Sequence, residues 1–394
     1  MGCRCRPSGG NGSMKHPSTR FAHLGRPEPG LATPVNPALE RASTLLFEKS
    51  EDLYRTDIRG YGRHGSNVHD ALCELFTALE GGATTQLYPS GVMACTQPAL
   101  AFLSPGDHVL LTDSAYGPTR YFCQTYLKQI GVETELFDPR AGAEIERLFR
   151  DETKVVLLES PGSLTFEIQD IPAISHAARQ RGIVTIVDNT WSAGLTCNPL
   201  ALGADISTHS ATKYFGGHGD LLFGAAICAS EDDGARVAAV ARQMGVASSP
   251  DDAYQVLRGF RTVTTRFAQQ ESTALELAQY LSGHSKVLDV LHPALATHTD
   301  HHLWTRDFNG SGCLFGFVLQ PCSNETVNAF IDALDLFGIG YSYGGYESLA
   351  IHCDPQLKRQ FGDPLGGPLI RLACGLEHPN DLKNDLEQAF ARIP

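Results

Sequence analysis

The tetrapeptide Ser210-Ala211-Thr212-Lys213 follows the apolar run ADISTH and leads into the glycine-rich YFGGHGD. A lysine on a loop at a strand's carboxyl end can form a Schiff base with an aldehyde, while the flanking hydroxyls of Ser210 and Thr212 donate to a phosphate. Standing alone, such a lysine is more often a solvated surface charge. A second segment shifts that balance, because Asp188 closes the apolar run GIVTIVD, where an unpaired carboxylate is costly. A carboxylate there can pair with a protonated ring nitrogen and make the ring an electron sink; the plainer alternative is a turn or helix-capping aspartate. In YPSGVMA a strand-like run meets Gly91 at the expected start of a helix, so the N–H groups of Gly91 and Val92 are candidate phosphate donors. In TDSAYGP, Tyr116 follows another strand-like run and can lay its ring on a cofactor ring while its hydroxyl meets a substrate amine; a packing role is the alternative.

These residues sit where an alternating α/β pattern would put them. Short β-rich runs at 106–113, 131–138, 153–160, 181–188, 204–210 and 221–229 alternate with helix-like segments at 67–80, 91–103, 117–130, 140–151 and 170–180. That alternation predicts a mostly parallel sheet with crossover helices on both faces. Residues 251–282 open with Asp251 and Asp252 and contain no proline, which predicts a long helix or helix pair leading into another domain. The last third mixes strand-like runs (313–320, 368–375) with helix-like ones (323–334, 379–392), giving a smaller α/β domain. The expected division is a tail and extended arm over 1–60, a cofactor-binding α/β domain over 61–260 and a C-terminal α/β domain over 261–394.

An ordered set of motifs carries a family resemblance: GYGR (60–63), LYPSG (87–91), AYGPT (115–119), LESPGS (158–163), VDNTW (187–191), ATKY (211–214), SYGGYES (342–348) and LIRL (369–372). Together, over roughly residues 20–394, they resemble the transsulfuration family of pyridoxal-phosphate enzymes, and within it the bacterial cystathionine β-lyases most. The resemblance implies a fold-type-I, aspartate-aminotransferase-like architecture with a mostly parallel seven-stranded sheet, and pyridoxal 5'-phosphate as cofactor. It makes Lys213 the Schiff-base lysine, Asp188 the pyridine-nitrogen partner and Tyr116 the stacked ring, with Gly91, Val92, Ser210 and Thr212 as phosphate ligands. Tyr61 and Arg63 resemble a pair that reaches into a neighbouring subunit's phosphate site, with Tyr61 also meeting its substrate, which implies an active dimer and, by family habit, a homotetramer. A guanidinium fork suits that phosphate role. Arg371 resembles the residue that grips the substrate α-carboxylate; its place in the apolar run LIRLAC agrees, with a structural salt bridge as the rival. Ser342 would contribute its backbone to the same site, and Glu347 would buttress loops.

The implied reaction is β-elimination of L-cystathionine to homocysteine, pyruvate and ammonia, a step of methionine biosynthesis, with other cysteine S-conjugates as further substrates. Lys213 would act as the base at Cα, and Tyr116, with phenolate as one option, would accept the amine proton. γ-Elimination or γ-replacement on the same scaffold is the nearest alternative, and a cofactor-binding regulator without turnover is a distant one. Two departures bear on substrate range: Tyr343 stands where these β-lyases commonly carry Trp, and Arg242 near a position where they carry Tyr.

Composition narrows the field. At 394 residues the chain is long enough to bury about three quarters of its unfolded surface in two or three domains. A net charge of −13 opposes nucleic acid as a main partner, and no apolar stretch suggests a membrane span. Eleven cysteines without CxxC spacing, mostly inside apolar runs, point to reduced thiols, and the basic start lacks the apolar core of a secretory signal, so a cytoplasmic location is expected. A transit peptide is the weaker alternative, and the myristoylation pattern fails at Arg6. The cluster His298, His301 and His302 is rejected as a metal site because adjacent histidines on a helix point apart. Neither GxGxxG after a strand nor a P-loop is present.

Overall fold

The computed structural model describes residues 16–362 and 364–393; residues 1–15, with Cys3 and Cys5, lie outside them. A short helix, α1 (Pro17–His23), opens the arm, and α2 (Asn67–Glu80) leads into the first layer. That layer is a sheet of β1 (Thr84–Tyr88), β2 (His108–Thr112), β3 (Glu133–Phe137), β4 (Thr153–Glu159), β5 (Val184–Asp188), β6 (Ile206–His209) and β7 (Gly224–Cys228). The strand order is β1-β7-β6-β5-β4-β2-β3, and β7 alone runs against both of its neighbours. The expected mostly parallel, seven-stranded sheet is therefore present. Both faces are apolar: Val155 and Leu157 of β4 join one core cluster, while Val156 and Leu158 join another on the opposite face. This is why the strands read as continuous hydrophobic runs rather than alternating ones.

Between the strands lie α3 (Gly91–Thr96), α4 (Gly117–Phe122) and α5 (Ile171–Gln180). The helix expected over 91–103 stops early and continues as a 3-10 turn over Gln97–Ala101. Pro98 lacks the N–H that an α-helix would use there and its ring crowds the preceding turn. The segment expected as helix over 140–151 is a 3-10 helix, Gly142–Leu148, and α4 runs on into a π-helical turn. After β7 come α6 (Glu231–Gln243), which the periodicity reading did not single out, and α7 (Pro250–Ser282). The last is one continuous helix of 33 residues, with Ser249 accepting hydrogen bonds from the N–H groups of Asp251 and Asp252.

The second layer is a five-stranded sheet of β8 (Val287–Leu291), β9 (Leu314–Leu319), β10 (Gly338–Ile339), β11 (Leu349–His352) and β12 (Leu369–Ala373), in the order β10-β11-β12-β9-β8. It carries α8 (His301–Asp307), α9 (Asn324–Ile331) and α10 (Pro379–Phe390). Phe260, Leu277 and Leu281 of α7 pack in one cluster with Phe317 of β9 and Phe390 of α10, so the long helix joins the two sheets through a shared core. No described helix is long and apolar enough to cross a membrane.

Candidate active site

Parallel strands deliver their carboxyl ends to one edge of the sheet, the usual ligand-binding side of open α/β layers. β5 ends at Asp188, β4 at Glu159, and the loop after β6 carries Ser210, Thr212 and Lys213. The second sheet closes over this edge. Trp191 Nε1 donates to the Leu314 carbonyl at 2.8 Å, and the Tyr214 hydroxyl accepts from the Cys313 N–H at 2.9 Å. The site therefore lies at the junction of the two layers.

Lys213 is its centre. The Nζ donates to Ser342 Oγ at 2.8 Å and stands 5.1 Å from the centroid of the Tyr343 ring. Burial, reinforced by the Arg371 guanidinium and opposed by Asp188, brings its amine down to about 8. A neutral amine is thus available near physiological pH, as a nucleophile or a base requires. Ser342 is held at φ 101°, a left-handed conformation rare for a residue with a side chain, and its carbonyl accepts from Arg371 Nη2 at 3.5 Å. Arg371 projects from β12 between the fully buried Ile370 and Leu372 and pairs with no carboxylate among the described residues. The rival salt-bridge role finds no partner there.

Asp188 is fixed on both oxygens. Its Oδ1 accepts from the Thr190 N–H at 3.0 Å and the Thr190 hydroxyl at 2.5 Å, and its Oδ2 accepts from Cys95 Sγ at 3.1 Å. The Thr190 hydroxyl also accepts from the Ser210 N–H at 2.9 Å, so one side chain ties Asp188 to the lysine loop. Gly91 packs against Ser210 so closely that a Cβ on it would stand 2.1 Å from Ser210 Oγ. The first-turn N–H groups of Gly91 and Val92 precede the ladder of α3 and face no intrahelical acceptor. Thr212 is more committed than expected: its hydroxyl accepts from the Phe223 N–H at 2.9 Å and donates to the Phe223 carbonyl at 3.2 Å.

Tyr116 lies just ahead of α4 with its N–H donating to Glu159 Oε2 at 2.6 Å. Burial pushes its phenol above the usual value, so in the free chain it is a phenol and the phenolate option is disfavoured. The other residues singled out in the sequence lie away from this cluster. Tyr61 and Arg63 are exposed and touch each other, the guanidinium 5.3 Å from the ring centroid, and within one chain they meet none of these groups. Glu347 is exposed; Glu377 braces the loop instead, accepting from the Ser348 N–H at 2.7 Å and the Ser348 hydroxyl at 2.8 Å. Arg242 lies exposed in the last turn of α6. His301 stacks on Trp304, and no group of three metal-ligating side chains is assembled among the described residues. Cys95, Glu159 and Glu377 were missed as site residues because each acts through space on a residue remote in sequence; Thr190, two residues from the Asp188 it holds and inside VDNTW, and Glu159, at the end of an apolar strand, were the ones a sequence signal could have found.

The comparisons with known proteins agree with this geometry. The profile of the family described as Cys/Met metabolism PLP-dependent enzyme matches residues 18–391. The chain is 40% identical over 393 residues to the cystathionine beta-lyase of Haemophilus influenzae, spanning 95% of this chain and 98% of that protein. It is 40% identical over 392 residues to the cystathionine beta-lyase MetC of Escherichia coli, with the same coverage. A cystathionine gamma synthase from Xanthomonas oryzae pv. oryzae, solved in complex with cystathionine, superposes with a TM-score of 0.88 at 30% identity, covering 96% of this chain and 99% of that one.

The residues present fit pyridoxal phosphate. A depressed amine at Lys213 suits its aldehyde, the doubly anchored Asp188 suits its ring nitrogen, and the space over Gly91 and Ser210 is a cradle that a Cβ would fill. Gly91→Ala is accordingly expected to weaken capture of pyridoxal phosphate by about tenfold or more, read by titrating the apoprotein and following absorbance. Unchanged affinity would show that the phosphate does not seat against Gly91. With motifs, topology, site geometry and profile in agreement over nearly the whole length, the chain belongs to the Cys/Met metabolism family of pyridoxal-phosphate-dependent enzymes.

Proposed function

We propose that the chain is a carbon–sulfur lyase that cleaves L-cystathionine by β-elimination to homocysteine, pyruvate and ammonia. The observation that carries this reading is the placement of the Lys213 amine 2.8 Å from Ser342 Oγ while the Arg371 guanidinium reaches the carbonyl of the same serine. A carboxylate gripped by Arg371 in the bidentate manner puts an amino acid's Cα beside an amine that is available in its neutral form near physiological pH. Bound pyridoxal phosphate supplies the electron sink that makes a Cα–H acidic. The protein supplies the rest. Arg371 and the Ser342 backbone orient the carboxylate, Tyr116 stays a phenol that orients the cofactor and the amine, and Lys213, once free, takes the Cα proton and returns it to the departing sulfur. The Thr190 and Cys95 hydrogen bonds keep Asp188 in one rotamer.

The choice of β over γ chemistry is supported by the named β-lyases at 40% identity against the γ-synthase at 30%. Tyr343, packed edge to face on Tyr214 at 5.7 Å, forms the wall beside the lysine and is the residue by which the substrate range would depart from its relatives. Tyr61 and Arg63, exposed and without a site of their own, are read as completing a neighbouring copy's phosphate site, so the active unit is a dimer, within a tetramer by family habit. The chain divides into the arm to residue 60, the cofactor-binding unit 61–260 and the C-terminal unit 261–394, with α7 running through the last boundary.

The test is to incubate the cofactor-loaded protein with L-cystathionine and identify the keto acid by mass spectrometry. Pyruvate with homocysteine is expected. Release of 2-oxobutanoate with cysteine would replace the β assignment by γ-elimination, and a spectral change without either product would point to a sensor.

A further inference from the structure

Two carboxyl groups stand side by side at the floor of the site. Glu159 of β4 is in register with Asp188 of β5, on neighbouring strands about 4.8 Å apart. Both line a small cavity whose walls include Leu111, Leu157, Ile186 and Cys95. Two like charges in so apolar a setting do not both persist, and the donors each receives decide which one yields. Asp188 receives three, two from Thr190 and one from Cys95. Glu159 receives one, the Tyr116 N–H. No cation among the described residues forms an ion pair with Glu159; the titratable groups that face it are Asp188 on β5, Cys95 on α3, Tyr116 ahead of α4 and Tyr343 from the loop before β11.

We propose that Glu159 is a positioning residue that works as a neutral carboxylic acid, holding Tyr116 by its backbone N–H and leaving the anionic role to Asp188 alone. Burial and the Asp188 charge both push the Glu159 carboxyl well above the usual carboxylate range, in agreement with the donor count. The arrangement separates two tasks that one pair of acids could confuse. An anion at Asp188 serves a protonated ring nitrogen, and a second anion beside it would compete for that proton and repel the first. A neutral acid at Glu159 accepts from Tyr116 without that cost. Ionisation of Glu159 as pH rises then brings the two carboxylates into opposition and disturbs both Tyr116 and the floor of the site.

This inference rests on the reading of Asp188 and Tyr116 as cofactor contacts, and its test separates the two. The parent, Glu159→Gln and Glu159→Ala are loaded with pyridoxal phosphate, and the visible circular dichroism of the bound cofactor is followed against pH, with kcat and KM on L-cystathionine alongside. Gln mimics the protonated acid, so E159Q is expected to keep the ellipticity the parent shows with its acid protonated, to lose the transition that the parent shows as pH rises, and to lower kcat/KM by about threefold. E159A, which releases Tyr116, is expected to lose ellipticity and raise KM by about tenfold. E159Q as impaired as E159A would show that the charge is needed and overturn the proposal, as would a parental pH profile that E159Q leaves unchanged. That second comparison decides the matter if E159A does not fold. A parent that fails to bind the cofactor overturns the functional reading instead, before any variant is compared.

Discussion

Lys213→Ala, loaded with pyridoxal phosphate, is expected to release pyruvate from L-cystathionine about ten thousandfold more slowly than the parent, while still capturing the cofactor without a covalent bond. The expectation follows from the two roles proposed for one amine. Its Nζ is the only lysine nitrogen placed at the junction between Ser342, Tyr343 and the Arg371 guanidinium among the described residues, so no neighbouring group can replace it as base. Tyr116, held as a phenol by burial, is a poor substitute. The pH dependence carries a sign. The amine sits at about 8 rather than at the usual lysine value, so its neutral, reactive form grows as pH rises through about 8. Covalent capture of the cofactor by the apoprotein should accelerate over that interval in the parent and show no such rise in Lys213→Ala. Stopped-flow absorbance measures the capture and keto-acid detection measures turnover. Parental turnover in Lys213→Ala would remove the lysine from the mechanism and leave the fold assignment standing.

The parts of this site that sequence could show are those in which chemistry and local structure coincide. Asp188 ends an apolar strand and Lys213 follows another, and strand ends are legible because fully buried parallel strands read as continuous apolar runs. Gly91 was legible for the same reason, standing where a strand-like run met a helix start, although the depth of its contact with Ser210 was not. Partners made through space were invisible. Cys95 lies 93 residues from the Asp188 oxygen it donates to, and Glu159 lies 43 residues from the Tyr116 N–H it accepts. The same limit applies to the fold. The two-residue strand β10 has no periodicity to read, and it exists because Gly338 and Ile339 pair with Leu349 and Ala350. Pro98, by contrast, is visible in the sequence, and α3 ends just before it. Tyr61 and Arg63 show a third kind of limit, since a single chain places them on its surface and only a second copy could give them a site.

Arg371→Met is expected to lower kcat/KM for L-cystathionine by about a thousandfold, and Arg371→Lys by about a hundredfold, chiefly through KM. The half-buried guanidinium rises from β12 opposite Gly316 of β9 and Ile351 of β11, between two fully buried apolar neighbours. Leaving a permanent cation there without a carboxylate partner costs stability unless a ligand supplies one, and no described acid does. A substrate α-carboxylate meets that need with two parallel hydrogen bonds, which a lysine ammonium cannot reproduce from the same strand position. Removing the cation should even raise the thermal midpoint of the unliganded protein slightly, because Met fills the volume without the desolvation cost. The opposite signs make the prediction specific: a more stable fold with a much weaker grip on substrate. A cystathionine analogue lacking the α-carboxylate provides the control, since parent and Arg371→Met should differ little on it. If Arg371→Met were instead less stable and bound L-cystathionine normally, the guanidinium would be a packing element of the second sheet, and the carboxylate receptor would have to be sought elsewhere along the Ser342 loop.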